Sequence, residues 1–170
     1  MNLKPMCGYC KRTASLVTGA AIYPHRKDLA ALKFWQCAPC GAYVGCHAAG
    51  SFQEDSKGRK TYSDGTAPKG TLADSMLRKE RMAAHAAFDP LWANSPNKRQ
   101  VRAAAYAWLA SELQIPIDDC HIGLLDLEAV VEVLLRLVEM EVQLGLVHQL
   151  DVRRLFEEAG EAGGAGLAEL

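Results

Sequence analysis

The chain has 170 residues, 49% of them hydrophobic, and a formal net charge of −1, which suits one ordinary domain or a small metal module beside a helical body. The near-neutral total conceals an asymmetry: residues 1–110 hold 16 Lys and Arg against 7 Asp and Glu, a balance of +9, whereas residues 111–170 hold 3 against 13, a balance of −10. Residues 1–6 lack the apolar core of a signal peptide, and the apolar-rich stretch 124–146 is broken by Asp126, Glu128, Glu132, Arg136, Glu139 and Glu141, so neither export nor a membrane span is expected.

The first motif in chain order is Cys7-Gly8-Tyr9-Cys10, answered by Cys37-Ala38-Pro39-Cys40, with 26 residues between the pairs. A Cys-x-x-Cys turn lets two thiolates enter one tetrahedral shell while its backbone N–H groups face the sulfurs. Two such turns complete a four-sulfur site, and the spacing suits a zinc ribbon in which a hairpin separates two knuckles. The expectation is one structural Zn2+ on Cys7, Cys10, Cys37 and Cys40; redox dithiols or disulfides are the competing reading, without a thioredoxin-like strand-to-helix context. Six cysteines with no secretory signal fit a reducing cytoplasm.

Residues 13–23 carry β-branched and aromatic side chains and end at Pro24, which predicts a strand with a bulge at Gly19-Ala20-Ala21. A basic turn follows at Pro24-His25-Arg26-Lys27-Asp28, then a strand over 32–36 leading into the second knuckle and a third over 42–47 leading out of it. Residues 48–70 are mostly Gly, Ser, Asp, Lys and Thr and read as a linker or mobile loop with a basic tip at Lys57, Arg59 and Lys60.

Helical periodicity begins at Thr71, with Asp74 completing a capping-box-like start and Leu72, Met76, Leu77, Met82, Ala83 and Ala86 as the apolar set, ending near Pro90. Leu91-Trp92 reads as a core anchor. Ser95-Pro96 then starts a second helix whose apolar face carries Val101, Ala105, Trp108, Leu109 and Leu113. Asp126 is placed to cap a long helix, with Leu127, Val130, Val131, Leu134, Leu137, Val138 and Met140 on one broad face. Val133, Leu135, Val142 and Leu144 add apolar surface beyond one core contact, which marks either a partner helix or dimer seam over 124–146, or deeper burial. A short helix over 151–159 and a disordered tail complete the chain. The expected class is α+β: a zinc ribbon over 1–50, a linker over 51–70, a helical domain over 71–158 and a tail over 159–170.

The two Cys-x-x-Cys pairs, Ala42-Tyr43-Val44-Gly45-Cys46-His47, Gly70-Thr71-Leu72-Ala73, Arg81, His85, Leu91-Trp92, Ala105-Tyr106-Ala107-Trp108-Leu109 and Cys120-His121-Ile122-Gly123 follow one another in order. Over residues 7–135 this string resembles an uncharacterised zinc-finger-containing domain family of phages and prophages. The resemblance implies a zinc site and a bacterial host cell, and supplies no activity.

Arg78, Arg81 and His85 are three and four apart on one helix, as are Arg99, Arg102 and Tyr106 on the next. With Lys11, Arg12, Arg26, Lys27 and Lys33 of the ribbon, these two stripes suit a groove for nucleic-acid phosphates, with Tyr106 or His85 stacking or donating. Arg stems packed over a solvated helix surface are the competing account. Three function classes follow: a non-catalytic nucleic-acid-binding protein; a protein-interaction module or inhibitor of a host defence or transcription enzyme; and, with least support, a nuclease-like enzyme using His85, His121 and Asp126. A four-cysteine zinc leaves no open position for water, and no phosphate-cradling glycine loop or His-Glu-x-x-His is present. One residue each from Cys46-His47 and Cys120-His121 joining a second metal is a further alternative to simple burial.

Overall fold

Trp35 and Cys37 lie two residues apart, so both point to one side of a strand, and that side becomes the interior of the ribbon. The computed structural model describes residues 4–143. Strands β1 (Ser15–Thr18), β2 (Lys33–Cys37) and β3 (Ala42–Gly45) form an antiparallel sheet in that order, with Leu16 opposite Trp35 and Trp35 opposite Val44. Cys7, Ala14, Trp35, Cys37, Ala42 and Leu72 are buried together on the inner face. On the other face Phe34 meets Tyr23 and Tyr43 edge-on, with the two phenol oxygens 2.7 Å apart.

The strand expected over 13–23 stops at Thr18, and a single helical turn, α1 (Gly19–Ile22), replaces the expected bulge. A Cβ on Gly19 would sit 1.9 Å from the Leu29 carbonyl oxygen, so the chain crosses too closely for any other residue, and the alanines after it favour a helical turn. The stretch expected as a linker carries a hairpin, β4 (Phe52–Glu54) with β5 (Lys60–Tyr62). Asp55 accepts from the Lys57 and Arg59 amides to close its turn, and Gly58 supplies the positive φ of 74°. Residues 63–70 are tied to the ribbon: the Trp35 indole donates to the Thr66 carbonyl at 2.7 Å, the His47 amide to Ala67 and the Lys69 amide to Gly45. Turn-forming composition concealed two three-residue strands, too short for their period-two pattern to stand out.

The chain divides into two compact units between Lys79 and Glu80. Helix α2 (Ser75–Phe88) starts four residues later than expected, because Asp74 is itself the cap and accepts from the Leu77 amide at 2.9 Å. Its end at Phe88 agrees with the proline signal. α3 (Pro90–Ala93), α4 (Lys98–Glu112) and α5 (Leu127–Gln143) follow. Ser95 caps a turn ahead of α4, accepting from the Asn97 amide, and the helix begins at Lys98. Asp126 caps α5 as expected, accepting from the Ala129 amide. Phe88, Trp92 and Tyr106 pack edge-to-face or tilted at the centre of this second unit, among Leu91, Val101, Ala105, Leu109 and Ile122.

Two helix faces are rotated from expectation. On α2 the buried positions are Leu77, Arg81, Ala84 and Phe88, whereas Met76 and Met82 are exposed. Arg81 is 8% exposed and its guanidinium donates to the Leu125 carbonyl. On α5 the buried side chains are Val130, Val133 and Leu137, while Leu127, Val131, Leu135 and Val138 face outward. The expected helix over 151–159, the tail and Leu144 lie outside the described residues, as does the side chain of Val142.

Arg81→Ala is expected to destabilise the helical unit by about 2–3 kcal/mol, since it strands a buried carbonyl and removes a charged hydrogen bond. Met82→Ala, at an exposed position, should stay within about 0.5 kcal/mol. Urea unfolding followed by circular dichroism distinguishes the two; equal effects would contradict the assigned face.

Candidate functional site

Each knuckle is a chain reversal made next to a strand. In the first, Met6 bridges Thr13, the Cys7 amide donates to the Arg12 carbonyl at 2.8 Å, and the Lys11 amide donates to Cys7 at 2.9 Å. Lys11 has φ of 59°, a left-handed conformation that costs an L residue roughly 1–2 kcal/mol. In the second, β2 delivers Cys37, a single turn runs over Ala38–Cys40, and Gly41 takes φ of 65° before β3 departs. A left-handed residue directly after the second cysteine thus closes both turns. At Gly41 the absence of a Cβ makes that conformation cheap. At Lys11 the ammonium donates to the Gly8 carbonyl at 2.8 Å across the same turn.

The four sulfurs Cys7, Cys10, Cys37 and Cys40 lie within 4.8 Å of one another, and Cys10 and Cys37 are 3.5 Å apart. A disulfide requires about 2.05 Å, whereas a tetrahedron with Zn–S bonds of about 2.3 Å has edges near 3.8 Å. All six cysteines are free. The Cys10 thiol is lowered to about 7, first by the Arg12 backbone hydrogen bond and then by the Cys40 and Cys37 thiols. Cys40 is pushed up to about 12, chiefly by its hydrogen bond with Cys10. The cluster's hydrogen bonds thus favour a thiolate at Cys10 and disfavour one at Cys40.

A family described as a zinc-finger-containing domain matches residues 4–140. The chain belongs to that family. No curated protein and no solved structure matches the chain. The family match covers the knuckles and most of α5, so the ribbon and the helices are parts of one family unit. Within a zinc-finger-containing domain, the four convergent cysteines fit one structural zinc ion, with all four positions filled by sulfur.

The residues expected at a nucleic-acid surface are placed less uniformly. Arg12, Lys27, Arg99 and Arg102 are exposed, as is Lys11. Arg26 is exposed but makes a two-point pair with Asp28 at 2.9 and 2.7 Å, which raises the guanidinium pKa and lowers that of the carboxyl. The expected stripe on α2 is dispersed. Arg78 lies 3.8 Å from the Tyr43 ring centroid and donates to the Ala73 carbonyl, Arg81 is turned inward, and His85 pairs with Asp89 at 3.2 Å. Tyr106 is 6% exposed beneath Arg102 and stacks on His121, a ring of the core. Burial raises the Tyr106 hydroxyl above its ordinary value.

Among the described residues, the four-cysteine cluster is the group of three or more metal-ligand side chains that converges. His85, His121 and Asp126 do not form such a group; they respectively pair with Asp89, stack on Tyr106 and cap α5. Nor do Cys46 and Cys120 join a second one. Cys46 packs at the edge of the ribbon core and Cys120 is buried in the helical unit, and desolvation raises both thiols, Cys120 to about 11. Desolvation lowers His47, an imidazole suited to its neutral form. Two exposed aromatic residues of the hairpin, Phe52 and Tyr62, were not singled out by sequence reasoning. Their signal was the alternation Phe-Gln-Glu and Lys-Thr-Tyr on either side of an Asx turn.

Cys37→Ser is expected to remove stoichiometric zinc and unfold the ribbon while leaving the helical circular dichroism signal largely in place; Cys46→Ser should retain one zinc. Metal analysis after gel filtration reads both, and full zinc in Cys37→Ser would refute the assignment. Because ligation needs thiolates, zinc affinity should fall with decreasing pH as protons compete for the sulfurs, which a chelator titration between neutral and acidic buffer measures.

Proposed function

We propose that this chain is a zinc-ribbon nucleic-acid-binding protein of phage or prophage type that acts without catalysis in the cytoplasm of a bacterial host. The observation that carries this reading is the charge of the ribbon unit. Residues 1–79 hold 12 Lys and Arg against 5 Asp and Glu, a balance of +7, and of those cations all but Arg78 are exposed. A small metal-pinned unit with that excess attracts a polyanion, and its exposed cations release counterions when they meet phosphates. Lys11, Arg12, Lys27, Arg99 and Arg102 remain the proposed contacts, with Arg26 joining where a phosphate competes with Asp28. Arg81 and Tyr106 leave the proposed interface, since their polar or aromatic parts are buried. His85 and Arg78, both half-buried and engaged, are secondary candidates. The phage setting is supported by the ordered string of motifs.

The test is a binding series on single- and double-stranded DNA and RNA across salt concentrations. Log affinity should fall linearly with log salt, and Arg12→Ala should weaken binding on every sequence and flatten the slope by roughly one unit. No binding at low salt to any of the four would end the proposal.

A second reading has its own observation. Leu127, Val131, Leu135 and Val138 recur at helical spacing and are 37%, 42%, 52% and 58% exposed. They form an apolar stripe on α5 flanked by Glu128, Glu132 and Glu139. Such a stripe suits a partner protein or a second copy of the chain. Among the described residues no helix is long and apolar enough to cross a membrane. Leu135→Glu is expected to change the sedimentation behaviour, or to abolish capture of a partner, without lowering the melting temperature. A wild type monomeric at all concentrations, with an unfolded mutant, would remove this reading.

A further inference from the structure

The pairing register places Phe52 directly opposite Tyr62 and Glu54 opposite Lys60, so these four side chains share one face of the hairpin. The two rings lie 5.8 Å apart and tilted by 52°, and they are 50% and 67% exposed. A cross-strand aromatic pair stabilises the hairpin register, which fixes the rings without covering them. The Lys60 ammonium lies 4.8 Å from the Phe52 ring centroid, a cation–π contact that partly covers that ring. Tyr62 is left as the more open aromatic surface, braced by Phe52.

The charge around these rings is mainly positive. Lys57, Arg59 and Lys60 are exposed on the hairpin. The Asp55 carboxylate is taken up by the Lys57 and Arg59 amides and by the Arg59 guanidinium at 2.6 Å, leaving Glu54 as the acidic group on the aromatic face. The base of the hairpin, where the Gly50 amide donates to Ser63, carries a further cation: the Lys33 ammonium lies 3.7 Å from where a Gly65 side chain would begin.

We propose that the β4–β5 hairpin holds a single-stranded nucleic acid, with an unpaired base stacked on Tyr62 and the flanking phosphates against Lys57 and Lys60. The inference rests on the nucleic-acid reading above and narrows it to a strand class and a contact element. A duplex hides the faces of its bases within its own stack, whereas an unpaired base offers a π-face to an exposed ring. Cations beside the ring complete the combination by which strands are held without sequence preference. The phosphates would thread from the turn at Lys57 past Lys60 toward Lys33, with Glu54 across the hairpin from Lys60.

The test uses the full zinc-loaded chain and fluorescence anisotropy with a labelled oligothymidylate of about 20 nucleotides and with a duplex of the same length. Single strand should bind more tightly than duplex. Tyr62→Leu should weaken single-strand binding about tenfold with little change in salt slope, and Tyr62→Phe should restore it, because stacking needs the ring and not the hydroxyl. Lys57→Gln with Lys60→Gln should instead lower the salt slope by about 1.4 units. In case Tyr62→Leu disturbs the hairpin, photocrosslinking of wild-type protein to a strand containing 5-iodouracil should yield an adduct on the peptide bearing Phe52 or Tyr62. Binding to neither nucleic acid would overturn the broader reading and this inference with it. Single-strand binding that is unchanged in Tyr62→Leu, with adducts elsewhere, would overturn the hairpin assignment alone, as would tighter binding to duplex.

Discussion

Closure of four thiolates around one cation is the constraint on which the ribbon depends. Its interior consists of Cys7, Ala14, Trp35, Cys37, Ala42 and Leu72, so two of the six core residues are themselves ligands and two more are alanines. So little apolar area does not offset the conformational entropy of ordering several strands and loops. The metal supplies what the side chains lack, and it grips β2 and β3 together at the end they share, because Cys37 ends one strand and Cys40 closes the turn that leads into the other. The register of the sheet, the burial of Trp35 and the anchoring of residues 63–70 through its indole follow from that closure.

The helical unit is stabilised in a different currency. Its centre is aromatic, with Phe88, Trp92 and Tyr106 in mutual contact, and it incorporates a guanidinium. Arg81 enters the interior because a carbonyl at Leu125, ahead of α5, needs a donor there, and both Nε and an Nη reach it. A buried arginine that satisfies backbone is a positional device: it links α2 to the segment ahead of α5, so that α5 is both capped by Asp126 and tethered one residue earlier. The same inward turn takes Arg81 away from any ligand.

Features set by a few adjacent residues were legible in the sequence, and features set by distant partners were not. The knuckles announce themselves because both cysteines and the turn between them are local. The cap at Asp126 was legible for the same reason, whereas Thr71 made the first helix seem to begin a turn too early and hid Asp74 as its cap. Which face of α2 is buried was not legible, since arginine scores as polar until the carbonyl that receives it is known. On α5 nearly every side is apolar, so periodicity alone does not choose between Val130-Val133-Leu137 and Val131-Leu135-Val138. The hairpin was hidden by length: three residues per strand carry too little pattern to outweigh a turn-rich composition.

Zinc alters the charge on which any polyanion acts. Four thiolates and one divalent cation leave a formal charge of −2 at the knuckles, since coordinated thiols are deprotonated. Set against the ribbon unit's balance of +7, the metal-bound unit carries about +5. Lys11 and Arg12, directly after the first knuckle, lie nearest in sequence to that negative cluster, and part of their charge offsets it. Cations farther from the knuckles in sequence, on the hairpin and at Lys69, have no such neighbour. The zinc thus holds the shape of the ribbon at a cost in its positive charge, and a net excess of cations remains in the unit once the metal is bound.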